Sequence, residues 1–208
     1  MKKIPKYIVH AYIDCKRCSL CNYRRNIVFG RGSIPADILF IGEAPGKTED
    51  LLGLAFVGPS GRLLNLGMKR ACELVKYAAP EPSLSGDYPA KEFDPLPSRL
   101  AAITYFITNV VACRPTDSTG GDNRQPSPEE AWACTERVKQ TIADCNPRKV
   151  IFLGDIAKKY YKRVFPQALC LQHPAYIARQ GGASSPAFLS FVRELSEVFK
   201  ELSNVCAG

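Results

Sequence analysis

Four short apolar runs constrain the fold of this chain more than any other feature: residues 37–41, 103–111, 149–154 and 168–171. The first three are rich in β-branched or aromatic side chains, and all are bounded by Gly, Pro or polar residues, which is the pattern of a buried strand. Between them lie stretches with helical spacing. Residues 62–77 place Leu63, Leu64, Leu66, Met68, Cys72 and Val75 on one stripe. Ser127-Pro128-Glu129-Glu130 has the form of a helix start, with Ser as N-cap, Pro at the first position and Glu at the third, and the helix is expected to reach about Asp144. A basic helix follows near 156–164, and Ser185-Pro186 opens a last amphipathic helix to about Leu202. Strands alternating with helices predict an α/β fold: a single-domain, three-layer α/β/α sandwich around a central, mainly parallel four-stranded sheet. The domain is expected to span 1–208. The Pro/Gly/Ser-rich stretch 79–98 reads as a surface insertion, and 115–126, with Gly120-Gly121, as a second one with a flexible tip.

Three of the predicted strands run into unusual residues. The first ends in Gly42-Glu43-Ala44-Pro45-Gly46, with Glu49 and Asp50 close behind and Phe56-Val57-Gly58-Pro59-Ser60-Gly61 after them. The second carries Asn109, an amide that is costly inside an apolar strand unless paired. The fourth ends in His173-Pro174, one of only two histidines. A Gly/Pro turn, a satisfied core amide and a structural histidine would explain them one by one, and His10 is read in that way. In a parallel sheet, however, all three elements meet at the rim formed by the strands' carboxyl ends, where ligands of open α/β sheets bind. There His173 can donate to developing negative charge. Asn109 can read a nucleobase or amide edge with a donor and an acceptor, and Phe56 can stack on a base.

Nine cysteines are many for a chain outside an oxidising compartment, and an odd number argues against a closed disulfide framework. Cys15-Lys-Arg-Cys18-Ser-Leu-Cys21 points to a metal or cluster site. By residue type alone a four-cysteine set suits zinc as well as iron–sulfur. Cys72, Cys145 and Cys170 read as small core residues and Cys206 as a tail residue. The formal charge of +8 favours a polyanionic partner. No apolar run reaches the roughly 20 residues of a membrane span, and the first residues lack the apolar core of a signal peptide. A cytoplasmic protein is expected, prokaryotic or phage-associated and at the nucleoid, acting as a monomer without membrane contact.

Gly42-Glu-Ala-Pro-Gly46, Phe56-Val-Gly58, Thr108-Asn-Val-Val111 with Cys113-Arg-Pro115, and His173-Pro-Ala-Tyr176 together resemble the motifs of the family 4, iron–sulfur, uracil-DNA glycosylases. The likeness runs in register from about Cys15 to Tyr176. It implies a base-excision repair enzyme that hydrolyses the N-glycosidic bond of uracil flipped out of single- or double-stranded DNA, leaving an abasic site. It further implies a [4Fe–4S] cluster on Cys15, Cys18, Cys113 and Cys134, with Cys21 the competitor for one N-terminal position. Gly42, Phe56 and Asn109 would bind the base, and His173 would stabilise the departing pyrimidine. Where the best-known branch of the superfamily has a water-positioning Asp, this chain has Ala44, so Glu43 or Glu49 takes that part. Ser60, Pro174 and Arg179 would contact the DNA on either side of the flipped nucleotide. The two insertions, Ala112 in place of the family's usual Lys, and Gln180-Gly-Gly after the histidine are departures. They keep two alternatives in view: a glycosylase for another modified pyrimidine, such as a modified cytosine of phage DNA, and a non-catalytic iron–sulfur DNA-binding protein.

Overall fold

The computed structural model describes residues 11–75, 99–100 and 103–204. His10, the 79–98 insertion and Cys206 lie outside these residues. Strands β1 (Arg31–Gly32), β2 (Ile38–Gly42), β3 (Arg99–Leu100), β4 (Ile103–Asn109), β5 (Lys149–Leu153) and β6 (Leu169–Leu171) form one sheet. Its spine is the expected set of four parallel strands, in the order β4-β2-β5-β6. Two additions were not foreseen: the two-residue strands β1 and β3 each pair antiparallel with β4. Strands of two residues carry too little periodicity to be read from sequence.

The helices are α1 (Lys47–Leu52), α2 (Pro59–Leu74), α3 (Pro128–Ala133), α4 (Thr135–Cys145), α5 (Asp155–Tyr161), α6 (Pro174–Arg179) and α7 (Pro186–Asn204). Alternation along the strands separates two cores. Ile38 and Phe40 of β2, with Ile103, Tyr105 and Ile107 of β4, pack against Leu64 and Met68 of α2 and Phe188, Phe191 and Phe199 of α7. Leu39 and Ile41, with Phe106 and Phe152, face Ala131, Val138, Ala157 and Tyr161 on the helices of the opposite layer. Every residue of β2 is buried, as a strand covered on both faces requires. Full burial of each large side chain contributes about 1.5–3 kcal/mol.

Some boundaries differ from the sequence reading. The second strand stops at Asn109, two residues early, so Asn109 is its last residue rather than an interior one. α2 begins at Pro59, because the Gly58–Pro59 step starts the helix three residues before the apolar stripe. The helix expected from Ser127 to Asp144 is broken at Cys134, which separates α3 from α4. The Ser127 cap itself is as read: its hydroxyl accepts the N–H of Glu130, whose carboxylate accepts the N–H of Ser127. The 115–126 loop is pinned rather than free at its tip. Arg114, 4% exposed, donates to Asn123 Oδ1 (2.5 Å) and to the carbonyl of Gly121. Arg124 bridges Asp117 and Glu130. Cys72 and Cys145 are buried, and Cys170 packs against the second core.

Candidate active site

The parallel order brings the carboxyl ends of all four spine strands to one rim, and the strand order reverses about β2. Gly42 and Asn109 are register partners at the ends of β2 and β4. Gly154 follows β5 and His173 follows β6. Gly42 is required by close approach: a Cβ there would lie 2.5 Å from Phe56 Cζ and 2.6 Å from Asn109 Oδ1. The phenyl ring and the amide therefore close directly over the Gly42 backbone. Phe56 and His173 are neighbours, with ring centroids 6.1 Å apart. A Cβ on Gly154 would stand 3.0 Å from His173 Cβ, and its φ of +91° is itself a glycine conformation.

Asn109 is the most informative of these side chains. It is 1% exposed, and neither its Oδ1 nor its Nδ2 has a hydrogen-bond partner. Buried polar atoms are nearly always paired, so both ends of this amide are available to a ligand's donor and acceptor. Asn109 is odd-numbered like Ile103, Tyr105 and Ile107, so it projects to the α2/α7 face, where Phe56 lies.

His173 is partly buried and caps α6. Its Nδ1 accepts the N–H of Ala175 at 3.1 Å, which leaves the proton of the neutral ring on Nε2, free to donate. Burial, reinforced by the charge of Arg179, depresses its pKa to about 4. The imidazole is therefore neutral at physiological pH.

The two carboxylates have different surroundings. Glu49, 9% exposed, accepts the N–H groups of Val57 (3.0 Å) and Gly58 (2.7 Å) on Oε1 and of Gly46 (3.2 Å) on Oε2. It ties the turn after β2 to the loop that carries Phe56. Glu43, beside Gly42, is partly buried, and desolvation raises its pKa above the ordinary carboxylate range. Ser60 lies in the first turn of α2, Pro174 is the buried first residue of α6, and Arg179 is exposed at the end of α6.

Two buried arginines escaped the sequence reading of this site. Arg31, 7% exposed, donates to the carbonyls of Ala55 (2.8 Å) and Phe56 (3.3 Å) and to Asn65 Oδ1 (2.7 Å). It holds Phe56 at φ +53°, a left-handed conformation costly for a bulky residue. Its position between Gly30 and Gly32, both at positive φ, was the one available signal. Arg137, 2% exposed, reaches the end of β4 from the other layer; nothing in the sequence distinguishes it from a surface arginine.

A family profile described as Uracil DNA glycosylase superfamily matches residues 29–196. The chain belongs to the uracil DNA glycosylase superfamily. It is similar to proteins named Type-4 uracil-DNA glycosylase: 35% identical to that of Sulfurisphaera tokodaii over 71% of this chain and 53% of the relative. With that of Pyrobaculum aerophilum it is 35% identical over 70% of this chain and 58% of the relative. With that of Thermotoga maritima the figures are 32%, 71% and 60%. The chain thus spans little more than half the length of these relatives.

The cysteines gather away from the rim. Cys18 feels the charges of Cys134 and Cys15, and Cys113 those of Cys134 and Cys18, so the four are neighbours drawn from three chain segments. All are free thiols. Burial pushes the Cys113 thiol up to about 12, opposed by Arg24, whose Nη1 stands 3.6 Å from its sulfur and whose Nη2 donates to the Cys15 carbonyl at 2.7 Å. The Cys21 thiol is directed to Asn22 Oδ1. Among the described residues no group of three or more His, Cys, Asp or Glu side chains is arranged to hold a single metal ion. The donor chemistry nevertheless suits a thiolate-bound group, with a guanidinium beside it to offset negative charge. A separate recess of about 380 Å³, lined by Ile13, Arg24, Arg25, Asn26, Ile27 and Phe29, contains none of Gly42, Phe56, Asn109 and His173.

Proposed function

We propose that this chain is a DNA glycosylase that hydrolyses the N-glycosidic bond of uracil flipped out of DNA. The observation that carries the reading is the buried, doubly unpaired amide of Asn109 beside Phe56 and a neutral His173. A pyrimidine edge supplies the donor and acceptor this amide lacks, and the ring of Phe56 offers it a stacking face. Unstacking the nucleotide costs roughly a few kcal/mol, least at a mismatch. As the C1′–N1 bond breaks, its electron pair passes to the base, and His173 Nε2–H donates to the O2 side of the anion. Glu43 is the carboxylate left free to orient the water whose oxygen bonds C1′ and whose released proton ends on the departed pyrimidine anion, while Glu49 supports the loops through its three backbone contacts. Ser60, Pro174 and Arg179 contact the phosphates flanking the flipped nucleotide.

Cys15, Cys18, Cys113 and Cys134 would hold a [4Fe–4S] cluster, supported by their clustering and by Arg24 at Cys113. When bound, it would tie the N-terminal segment to the α3/α4 junction and release the thiol protons. The reading is of a monomer working on DNA in the cytoplasm. Among the described residues no helix is long and apolar enough to cross a membrane.

The test is purified protein on matched oligonucleotides carrying U, T, C or modified cytosines, in single and double strands, scored for abasic sites. Uracil release is expected. Release of a modified cytosine with uracil ignored would replace the substrate, and DNA binding without any release would leave a binding protein.

A further inference from the structure

Behind Asn109, on the opposite face of the sheet, lies a buried cation without a carboxylate. Arg137 of α4 donates from Nη1 to Thr108 Oγ1 (3.0 Å) and from Nη2 to the carbonyls of Asn109 (2.5 Å) and Val110 (3.2 Å). Its Nε has no partner, and among the described residues no acidic side chain forms an ion pair with it. The Thr108 hydroxyl is itself anchored, donating to the Phe29 carbonyl at 2.8 Å. Taking a guanidinium out of water without a counter-charge costs several kcal/mol. Packing therefore does not account for an arginine here. Backbone carbonyls alone could be satisfied by a neutral donor.

We propose that Arg137 is a positioning and electrostatic residue for base release: it fixes the Asn109 backbone and lends positive charge, from across the sheet, to the pocket in which the pyrimidine anion forms. The inference rests on the glycosylase reading. Its logic is that of preorganised charge: a fixed cation in a low-dielectric setting favours developing negative charge without reorganising. A unit charge acting over roughly 10 Å at an effective dielectric of about 20 changes a rate by about tenfold, less than loss of a direct donor. The Tyr161 phenol feels the guanidinium's charge, and Cys134, three residues before Arg137, is a second group that can oppose it. If thiolates there cancelled the guanidinium, removing it would not alter how the reaction depends on its leaving group.

The experiment compares uracil with 5-fluorouracil, whose N1 anion is more stable and needs less help, in Arg137→Met, Arg137→Gln and Arg137→Lys. Single-turnover release, affinity for abasic product DNA and thermal melting are measured for each. Met and Gln are expected to slow uracil release about tenfold and 5-fluorouracil release distinctly less. Product affinity should be unchanged, and the melting temperatures show how far each variant suffers from losing the bonds to the Asn109 and Val110 carbonyls. Lys should retain the wild-type ratio between the two bases. Equal slowing of both bases in either charge-free variant, or a Lys variant as slow as Met with the same base dependence, would overturn the proposal in favour of a packing role. Should one charge-free variant fail to fold, the other carries the comparison. Should both fail, a Lys variant whose base ratio departs from wild type decides against the charge. A wild-type protein that releases neither base would instead overturn the glycosylase reading itself.

Discussion

Replacing Asn109 by Leu should stabilise this protein while disabling it. Leu has nearly the shape of Asn, with two methyl groups where the amide places Oδ1 and Nδ2. Both amide atoms are buried and unpaired, and a buried polar group left unsatisfied costs about 1–3 kcal/mol. Removing that penalty and adding apolar contact with Phe56 raises the folding free energy by about the same amount. For a chain of this size each kcal/mol moves the midpoint roughly 2–4 °C, so calorimetry should show an increase of several degrees. Single-turnover base release should fall on the order of a hundredfold or more, as for one lost oxyanion-type donor. A melting temperature lower than wild type would refute the reasoning. It would show that the amide is already satisfied in the free protein and is not held open for a ligand.

The pH profile should separate His173 from Glu43. With His173 depressed to about 4 and Glu43 raised, the acid limb of kcat/KM belongs to Glu43; Glu43→Gln should abolish that limb, while His173→Asn lowers the plateau and leaves the limb in place. Stability follows the histidine with a defined sign. Between about pH 6.5 and 4 the unfolded chain binds a proton that the folded chain refuses, so stability falls as pH drops through that window and levels off below it; His173→Asn should flatten that portion of a melting-versus-pH curve. Glu49→Gln, which exchanges two acceptor oxygens for one, should cost stability and lower uracil release together, and an activity loss without any change in melting would contradict its bracing role. Serine at Cys15, Cys18, Cys113 or Cys134 should reduce bound iron and lower the melting temperature, with Cys21→Ser close to wild type in both; zinc as the sole metal of anaerobically purified protein would contradict the cluster.

The spine of the fold was readable because buried parallel strands are continuous apolar runs with sharp ends, as at 37–41 and 149–154, too short for a helix of ordinary length. The rim followed from topology: once the strands are parallel, Gly42, Asn109 and His173 must share an edge. What the sequence withheld depends on three-dimensional partners. α1 is six residues long, too short for periodicity, and its Glu49 shows its bracing role only when Gly46, Val57 and Gly58 converge on it. The 115–126 loop looked free because Gly120-Gly121 is visible in the chain, whereas the bonds of Arg114 and Arg124 are not. Cys134 divides two helices although the pattern around it is continuous. Arg31 and Arg137 are charged residues in a basic chain, and only burial separates them from the rest.

The arrangement of costs in this molecule is itself an argument for where it works. Phe56 is held at a positive φ, Asn109 buries an unpaired amide, His173 is kept neutral by desolvation, and Arg137 is a cation in the interior. The positive φ, the unpaired amide and the interior cation each oppose folding by about 1 kcal/mol or more, and all four residues lie at the ends of β2, β4 and β6. The two cores on either side of the sheet, with Phe40, Phe188 and Phe199 on one and Phe106 and Phe152 on the other, carry no such features. Four such choices at one rim are expected where binding energy is held in reserve for a ligand; away from it the described residues show an unpaired Asp144 Oδ2 and a positive φ at Asn146, just before the amino end of β5. Strain distributed by accident would have no reason to gather on the one edge where a base could enter.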